Sequence, residues 1–144
     1  LARLNFNSCP GDDQTGRLDR SSCSRPEDQM LQSSSSMRAV RVPKFGGPDV
    51  LETVGNLPRP VAGAEDVLIR TQVAGVNYID TYHRTGRYTG TKFPAIIGVE
   101  GAGVIVHVGE GVTDFSAGDR VCYPLAPGAY AEERLVNQEI LIKN

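Results

Sequence analysis

From Met37 onward the sequence is cut into short runs by turn residues, and this spacing decides the fold class. Asp66 to Val73, DVLIRTQV, sets Val67, Ile69, Thr71 and Val73 on one face. That period of two predicts a half-buried strand. Arg38 to Val42 alternates in the same way. Val50–Leu57, Gly101–Val108, Asp119–Tyr123 and Ala129–Val136 are further β-type runs. Between them lie turn clusters at Phe45–Asp49, Pro58–Pro60, Gly109–Gly111, Ala117–Asp119 and Pro127–Gly128. Short strands at such intervals predict a mainly β chain, folded as a sandwich or barrel. Asn77 to Arg84, NYIDTYHR, has no alternation and opens on a good N-cap residue, so it predicts one or two helical turns.

Gly98 to Val112, GVEGAGVIVHVGEGV, holds five glycines in fifteen residues. A dinucleotide-binding loop needs G-x-G-x-x-G between a strand and a helix. Gly101 and Gly103 begin such a motif, but Val106 stands at the third position. Gly109 and Gly111 fail in the same way at Asp114. The run Val104–Val108 that follows Gly103 suits a strand, not a helix start. These glycines are strand punctuation: turns, bulges or close backbone approach.

Composition excludes several classes of function. No apolar run approaches the roughly 18 residues that a membrane span needs. The net charge of -2 offers no basic footprint for nucleic acid or an anionic membrane, so neither membrane nor DNA is expected as a partner. Cys9, Cys23 and Cys122 have neither disulfide-framework nor zinc-knuckle spacing. A reduced, cytoplasmic protein is expected. Residues 1–36 are Ser-rich and charged, without periodicity, and predict a disordered tail or an artefactual extension ahead of a start at Met37. Their acidic residues and lack of an apolar core argue against a targeting segment. Residues 37–144 are expected to be the folded domain.

Four blocks in this order carry a resemblance: MRAVRVPKFGGPDVLE, DVLIRTQVAGVNYIDTYHRTGRY, GVEGAGVIVHVGEGVTDFSAGDRV and PGAYAEE. Together they resemble the amino-terminal half of the medium-chain dehydrogenase/reductase superfamily, in its zinc-free quinone oxidoreductase (zeta-crystallin-like) branch. The resemblance covers nearly all of 37–144 and none of 1–36. It implies a GroES-like β-barrel with a short helix, acting as the catalytic domain over the nicotinamide end of NADPH. It also implies that the dinucleotide loop lies in a Rossmann half missing from this chain, so that the fragment alone is inactive and its full-length parent is a homo-oligomer.

The resemblance also bears on chemistry. Zinc-dependent relatives place a metal-binding Cys where Asn77 stands and a metal-binding His where Val99 stands. A catalytic zinc needs about three Cys, His or carboxylate ligands, so no metal is expected. The implied activity is NADPH-dependent quinone reduction by hydride transfer, with the cofactor carrying the hard chemistry. Tyr82 and Tyr88 match tyrosines flanking the cleft in quinone oxidoreductases and are the candidate catalytic residues. Asn77 matches an asparagine near the nicotinamide and is the candidate cofactor-binding residue. Simpler readings stand beside these. Tyr82 and Tyr88 are also explained as packing aromatics, Asn77 as a helix cap, and Asp80 as a first-turn acid favoured by the helix dipole. Glu100 reads as an ion-pair partner of Arg or Lys, His83 and His107 as surface side chains, Cys122 as a small packing residue and Tyr130 as barrel core. Two further functions compete: an enal or enone reductase of the same branch, and a non-enzymatic barrel with a structural or RNA-binding role.

Overall fold

The computed structural model describes residues 36–144, and the reading of residues 1–36 as a disordered tail or extension falls almost wholly outside them. Ser36 itself opens the first strand. Among the described residues, eight strands form two antiparallel sheets. In chain order they are β1 (Ser36–Val42), β2 (Glu52–Pro58), β3 (Asp66–Ala74), β4 (Ala95–Ile96), β5 (Gly101–Val108), β6 (Arg120–Tyr123), β7 (Glu133–Asn137) and β8 (Ile142–Lys143). The smaller sheet runs β2-β1-β4 and the larger β7-β3-β5-β6-β8. Among the described residues, one α-helix, α1 (Tyr78–Thr85), lies between β3 and β4. The mainly β architecture read from the turn spacing is the one the chain adopts.

The core follows from the alternation. Val67 and Ile69 of β3, Ile105 of β5, Val121 and Tyr123 of β6 and Val136 of β7 are buried together. Each such aliphatic side chain removed from water contributes about 1.5–3 kcal/mol. A second cluster joins Val42, Val50 and Ile97, and Tyr130 packs against both clusters. Residues 130–132 tie the two sheets together. Val40 N donates to the Tyr130 carbonyl (2.8 Å), Glu132 N to the Arg38 carbonyl (3.0 Å), and Thr71 N to the Glu132 carbonyl (2.9 Å). Across the same join, the Glu133 carboxylate accepts two hydrogen bonds from Arg59.

Several boundaries differ from the sequence reading. The second strand begins at Glu52 because Pro48–Val50 forms a 3-10 turn, which proline at its first position favours. The regular ladder of β7 begins at Glu133, not Ala129, because 130–132 bond to two different strands. β6 begins at Arg120 rather than Asp119. The face Val67-Ile69-Thr71-Val73 does not hold throughout: Val73 is 64% exposed. A register shift between Thr71 and Val73 leaves Gln72 as the extra residue of a bulge, which re-aims the end of the strand. β4 and β8 are two residues each, too short for periodicity to announce them.

Candidate functional site

Helix α1 and the turn after it carry the candidate side chains. Asn77 is the N-cap and forms a capping box with Asp80, whose carboxylate accepts from Asn77 N at 2.9 Å. Gly86 ends the helix in the left-handed region, at φ 84°. Arg84 secures this end, its guanidinium donating to the Gly46 carbonyl (2.6 Å) while its own carbonyl accepts from Gly46 N (3.1 Å).

Tyr78 and Tyr82, one turn apart on this helix, meet edge to face with centroids 5.4 Å apart. Tyr82 meets Tyr88 in the same manner at 5.6 Å, and the Arg87 guanidinium lies over the Tyr82 ring at 4.6 Å. The His83 ring lies 5.3 Å from that of Tyr88. His83 Nδ1 and Thr91 Oγ1 share a hydrogen bond of 3.3 Å.

Tyr88, His83, Thr91 and Lys92 border a pocket of about 350 Å³ whose inner wall includes Ile97 and Val99. The inner wall is fixed by backbone bonds. Ala126 N donates to the Val99 carbonyl (2.7 Å), Gly128 N and Ala129 N to that of Gly98 (2.8 and 3.0 Å), and Tyr130 N to that of Ile97 (3.0 Å). Val99 is buried, so hydrocarbon faces the pocket there.

The expected site residues are therefore gathered only in part. Tyr88 borders the pocket; Tyr82 stands behind it as its edge-to-face partner; Asn77 lies at the opposite end of α1 and does not line the pocket. The Asn77 side-chain nitrogen is buried and has no hydrogen-bond partner. Asp80, read as a first-turn acid, is buried and also receives the Tyr130 hydroxyl at 2.7 Å. Burial of the Tyr130 hydroxyl and that carboxylate together push its pKa above the ordinary tyrosine range.

Three sequence readings need correction. Glu100 makes no ion pair with Arg or Lys among the described residues; its backbone carbonyl accepts from Gly75 N. It follows the buried run Ile97–Val99 and is itself exposed. His83 is not a free surface side chain, because its hydrogen bond to Thr91 and its edge contact with the Tyr88 ring hold it at the pocket. Cys122 is only partly buried, since it lies on β6 opposite the buried face of Val121 and Tyr123. His107 is exposed, as read. Lys92 and Thr91 were not singled out by their pattern. Only the fold's return of the 86–94 loop onto α1 brings them beside His83.

Among the described residues, no three His, Cys, Asp or Glu side chains gather as a metal site. No helix there is long and apolar enough to cross a membrane.

Known proteins share this fold. Residues 63–143 match the alcohol dehydrogenase GroES-like domain. The chain is 40% identical over 106 residues to a quinone oxidoreductase of Pseudomonas aeruginosa, covering 73% of this chain and 32% of that protein. It is 45% identical over 111 residues to a 2-haloacrylate reductase of a Burkholderia species, covering 73% and 32%. The crystal structure of Escherichia coli quinone oxidoreductase complexed with NADPH superposes with a TM-score of 0.70 at 33% identity, covering 74% of this chain and 32% of that one. The chain thus spans about a third of the length of the curated relatives it matches. The fold, the matched segment and these identities together make the chain a member of the alcohol dehydrogenase GroES-like domain family, in the quinone oxidoreductase branch of the medium-chain dehydrogenase/reductases.

Proposed function

We propose that this chain is the acceptor-binding domain of an NADPH-dependent reductase of quinones that works without zinc. The observation that carries the reading is the pocket bordered by Tyr88, with hydrocarbon at Val99 where a metal ligand would have to stand. Relatives named as quinone oxidoreductases support the substrate class. A further Rossmann-type domain, outside this sequence, would bind the phosphates of the cofactor; this chain alone would then be inactive.

The residues present fit a nicotinamide cofactor in one respect. The unpartnered, buried Asn77 nitrogen is a donor that would hold a carboxamide oxygen, since buried amides in native proteins are normally paired. NADPH, when bound, supplies the hydride. The chain's own contribution is to orient the acceptor against the Tyr88 ring, exclude water with Ile97 and Val99, and offer a hydroxyl to the acceptor oxygen as negative charge develops there. A zinc ion does not fit: Asn77 is a poor ligand and Val99 is none.

The test is turnover by the full-length protein that contains this domain. We expect NADPH oxidation that depends on added benzoquinone and survives exhaustive chelation. Activity lost on chelation and restored by zinc would overturn the metal-free reading; no quinone-dependent oxidation at all would overturn the substrate class. A second reading, reduction of an activated alkene, is favoured by the similarity to a 2-haloacrylate reductase.

A further inference from the structure

Reduction of a quinone consumes a proton as well as a hydride, and one side chain of the pocket can supply it. His83 stands in the last turn of α1 and lines the pocket together with Tyr88 and Thr91. Its ring is fixed between those two residues. The centroid lies 5.3 Å from that of Tyr88, and Nδ1 shares a hydrogen bond of 3.3 Å with Thr91 Oγ1. Nδ1 is thus taken, whereas Nε2 has no hydrogen-bond partner among the described residues. Tyr88 is the weaker acid of the two kinds. In simple peptides a phenol titrates at about 10 and an imidazolium at about 6.5, so the imidazolium is roughly a thousandfold the stronger acid. A reduced quinone oxygen is itself a phenolate, and another phenol gains little by protonating it.

We propose that His83 is the proton donor to the acceptor, with Thr91 as the positioning residue that holds its ring. This rests on the quinone reductase reading and deepens it. The step balances. A hydride from the reduced nicotinamide reaches one quinone oxygen with its electron pair, both C=O bonds become C–O as the ring turns aromatic, and the other oxygen is left as a phenolate. The Nε2–H bond of the imidazolium breaks, an O–H bond forms, and neutral hydroquinone results. The neutral imidazole keeps its Nδ1–H on Thr91 Oγ1 and takes a new proton from water at Nε2. No hydrogen bond to the chain is lost in the cycle. The charged groups around His83 favour release of the proton. Arg84 follows it on α1, Arg87 lies over Tyr82, and Lys92 belongs to the loop that returns to the pocket. Asp80, one turn earlier, is bound by Tyr130 and by Asn77 N, and among the described residues no Asp or Glu lines the pocket to hold the proton back.

The test is the kinetics of the full-length protein that contains this domain, with NADPH and benzoquinone. His83→Gln keeps a polar side chain but cannot carry the proton. It should lower kcat by roughly a hundredfold, the lower end for a positioned acid, and leave the Michaelis constant for benzoquinone within about twofold. The wild-type kcat should fall as pH rises through the range of about 5 to 8 in which histidines exchange protons, and His83→Gln should be flat there. In His83→Ala, added imidazole should restore turnover in proportion to its concentration. Thr91→Val should lower kcat and Thr91→Ser should recover it, with melting temperatures of all variants close to wild type. An unchanged kcat in His83→Gln overturns the proposal and leaves the quinone reading standing. So does a loss that keeps the wild-type pH profile and is not rescued by imidazole, since a merely structural role would produce it. Absence of quinone-dependent NADPH oxidation in the wild type overturns the quinone reading and this proposal with it.

Discussion

The Tyr130 hydroxyl donates to Asp80 Oδ2 at 2.7 Å, and Asn77 N donates to the same oxygen at 2.9 Å. One buried carboxylate thus joins the segment that ties the two sheets to the start of the helix carrying Tyr82. Asp80 is only 5% exposed and its other oxygen has no partner, so it has little hydration to fall back on. Tyr130→Phe keeps the ring and deletes one donor. It should cost about 1–3 kcal/mol in urea unfolding, the penalty of leaving a buried acceptor short of a partner. Stability equal to wild type would show that Asn77 N alone satisfies the carboxylate.

The same contact predicts an alkaline limit. Tyr130 and Tyr123 both hold their protons above the ordinary tyrosine pKa of 10.0. Burial is the first cause for each; for Tyr130 the Asp80 carboxylate adds to it. A raised folded pKa contributes stability that is complete below the unfolded value and is lost as pH rises through the folded one. The melting temperature should therefore be insensitive to these groups up to about pH 10 and fall above it. Tyr130→Phe should make that fall shallower. Melting curves taken between about pH 9 and 12, with tyrosinate absorbance as a second probe, check this. Ionisation of all five tyrosines well ahead of unfolding would contradict it.

Much of this fold could be read from residues, and the failures have physical causes. Helix α1 was legible because NYIDTYHR opens on a good N-cap residue, Asn77, and lacks strand alternation. The longer strands were legible because apolar, β-branched-rich runs such as Val67–Ile69 and Val104–Val106 stand between turn clusters. The bulge at Gln72 was not, because an inserted residue changes pairing without changing composition. The Tyr130–Asp80 bond spans fifty residues and has no local signature. The pocket was half legible. Tyr88 came from the family resemblance, whereas Thr91 and Lys92 look like ordinary loop residues until the chain returns them to His83.

The glycines of the 98–112 stretch make a separate prediction. Gly103 pairs with Thr71 across β3 and β5, and a Cβ there would collide with the Arg70 carbonyl. Gly98 sits at φ 91°, and a Cβ on it would lie 2.5 Å from the Tyr130 ring. Gly103→Ala and Gly98→Ala should each destabilise by about 1–3 kcal/mol, through overpacking in the first case and added left-handed strain in the second. Gly55 has open space at its Cβ position, so Gly55→Ala is the control and should stay within about 0.5 kcal/mol of wild type. Equal effects at all three positions would mean that these glycines are not spacing devices.

Glu133 supports the join between the sheets. Its carboxylate takes Arg59 in a two-pronged contact (2.7 and 2.8 Å) and Arg70 at 3.4 Å, and is itself 6% exposed. Both arginine side chains keep about a third of their surface, 30% and 36%, and can rehydrate when released. Glu133→Ala should therefore cost about 1–3 kcal/mol, below the range for fully buried pairs. Arg70→Ala should cost less than about 1 kcal/mol. Urea unfolding of both variants decides the order; a larger loss for Arg70→Ala would reassign the stronger contact.

The tyrosines separate substrate contact from support. Tyr88 borders the pocket, whereas Tyr82 touches it only through the Tyr88 ring. In the full-length enzyme, Tyr88→Ala should raise the apparent Michaelis constant for the acceptor and lower kcat/KM by roughly ten- to a hundredfold, the loss of a stacking face and of one donor. Tyr82→Phe keeps the edge-to-face contacts to Tyr78 and Tyr88 and the ring under Arg87. It should change kcat/KM by less than about threefold if its role is to hold Tyr88 in place. Tyr82→Ala removes that support, and its effect should approach that of Tyr88→Ala without adding to it, since neighbours acting as one unit are non-additive. A tenfold loss in Tyr82→Phe would instead put its hydroxyl against the reacting oxygen, which requires the acceptor to reach behind Tyr88. Wild-type kcat/KM in Tyr88→Ala would return both rings to packing alone.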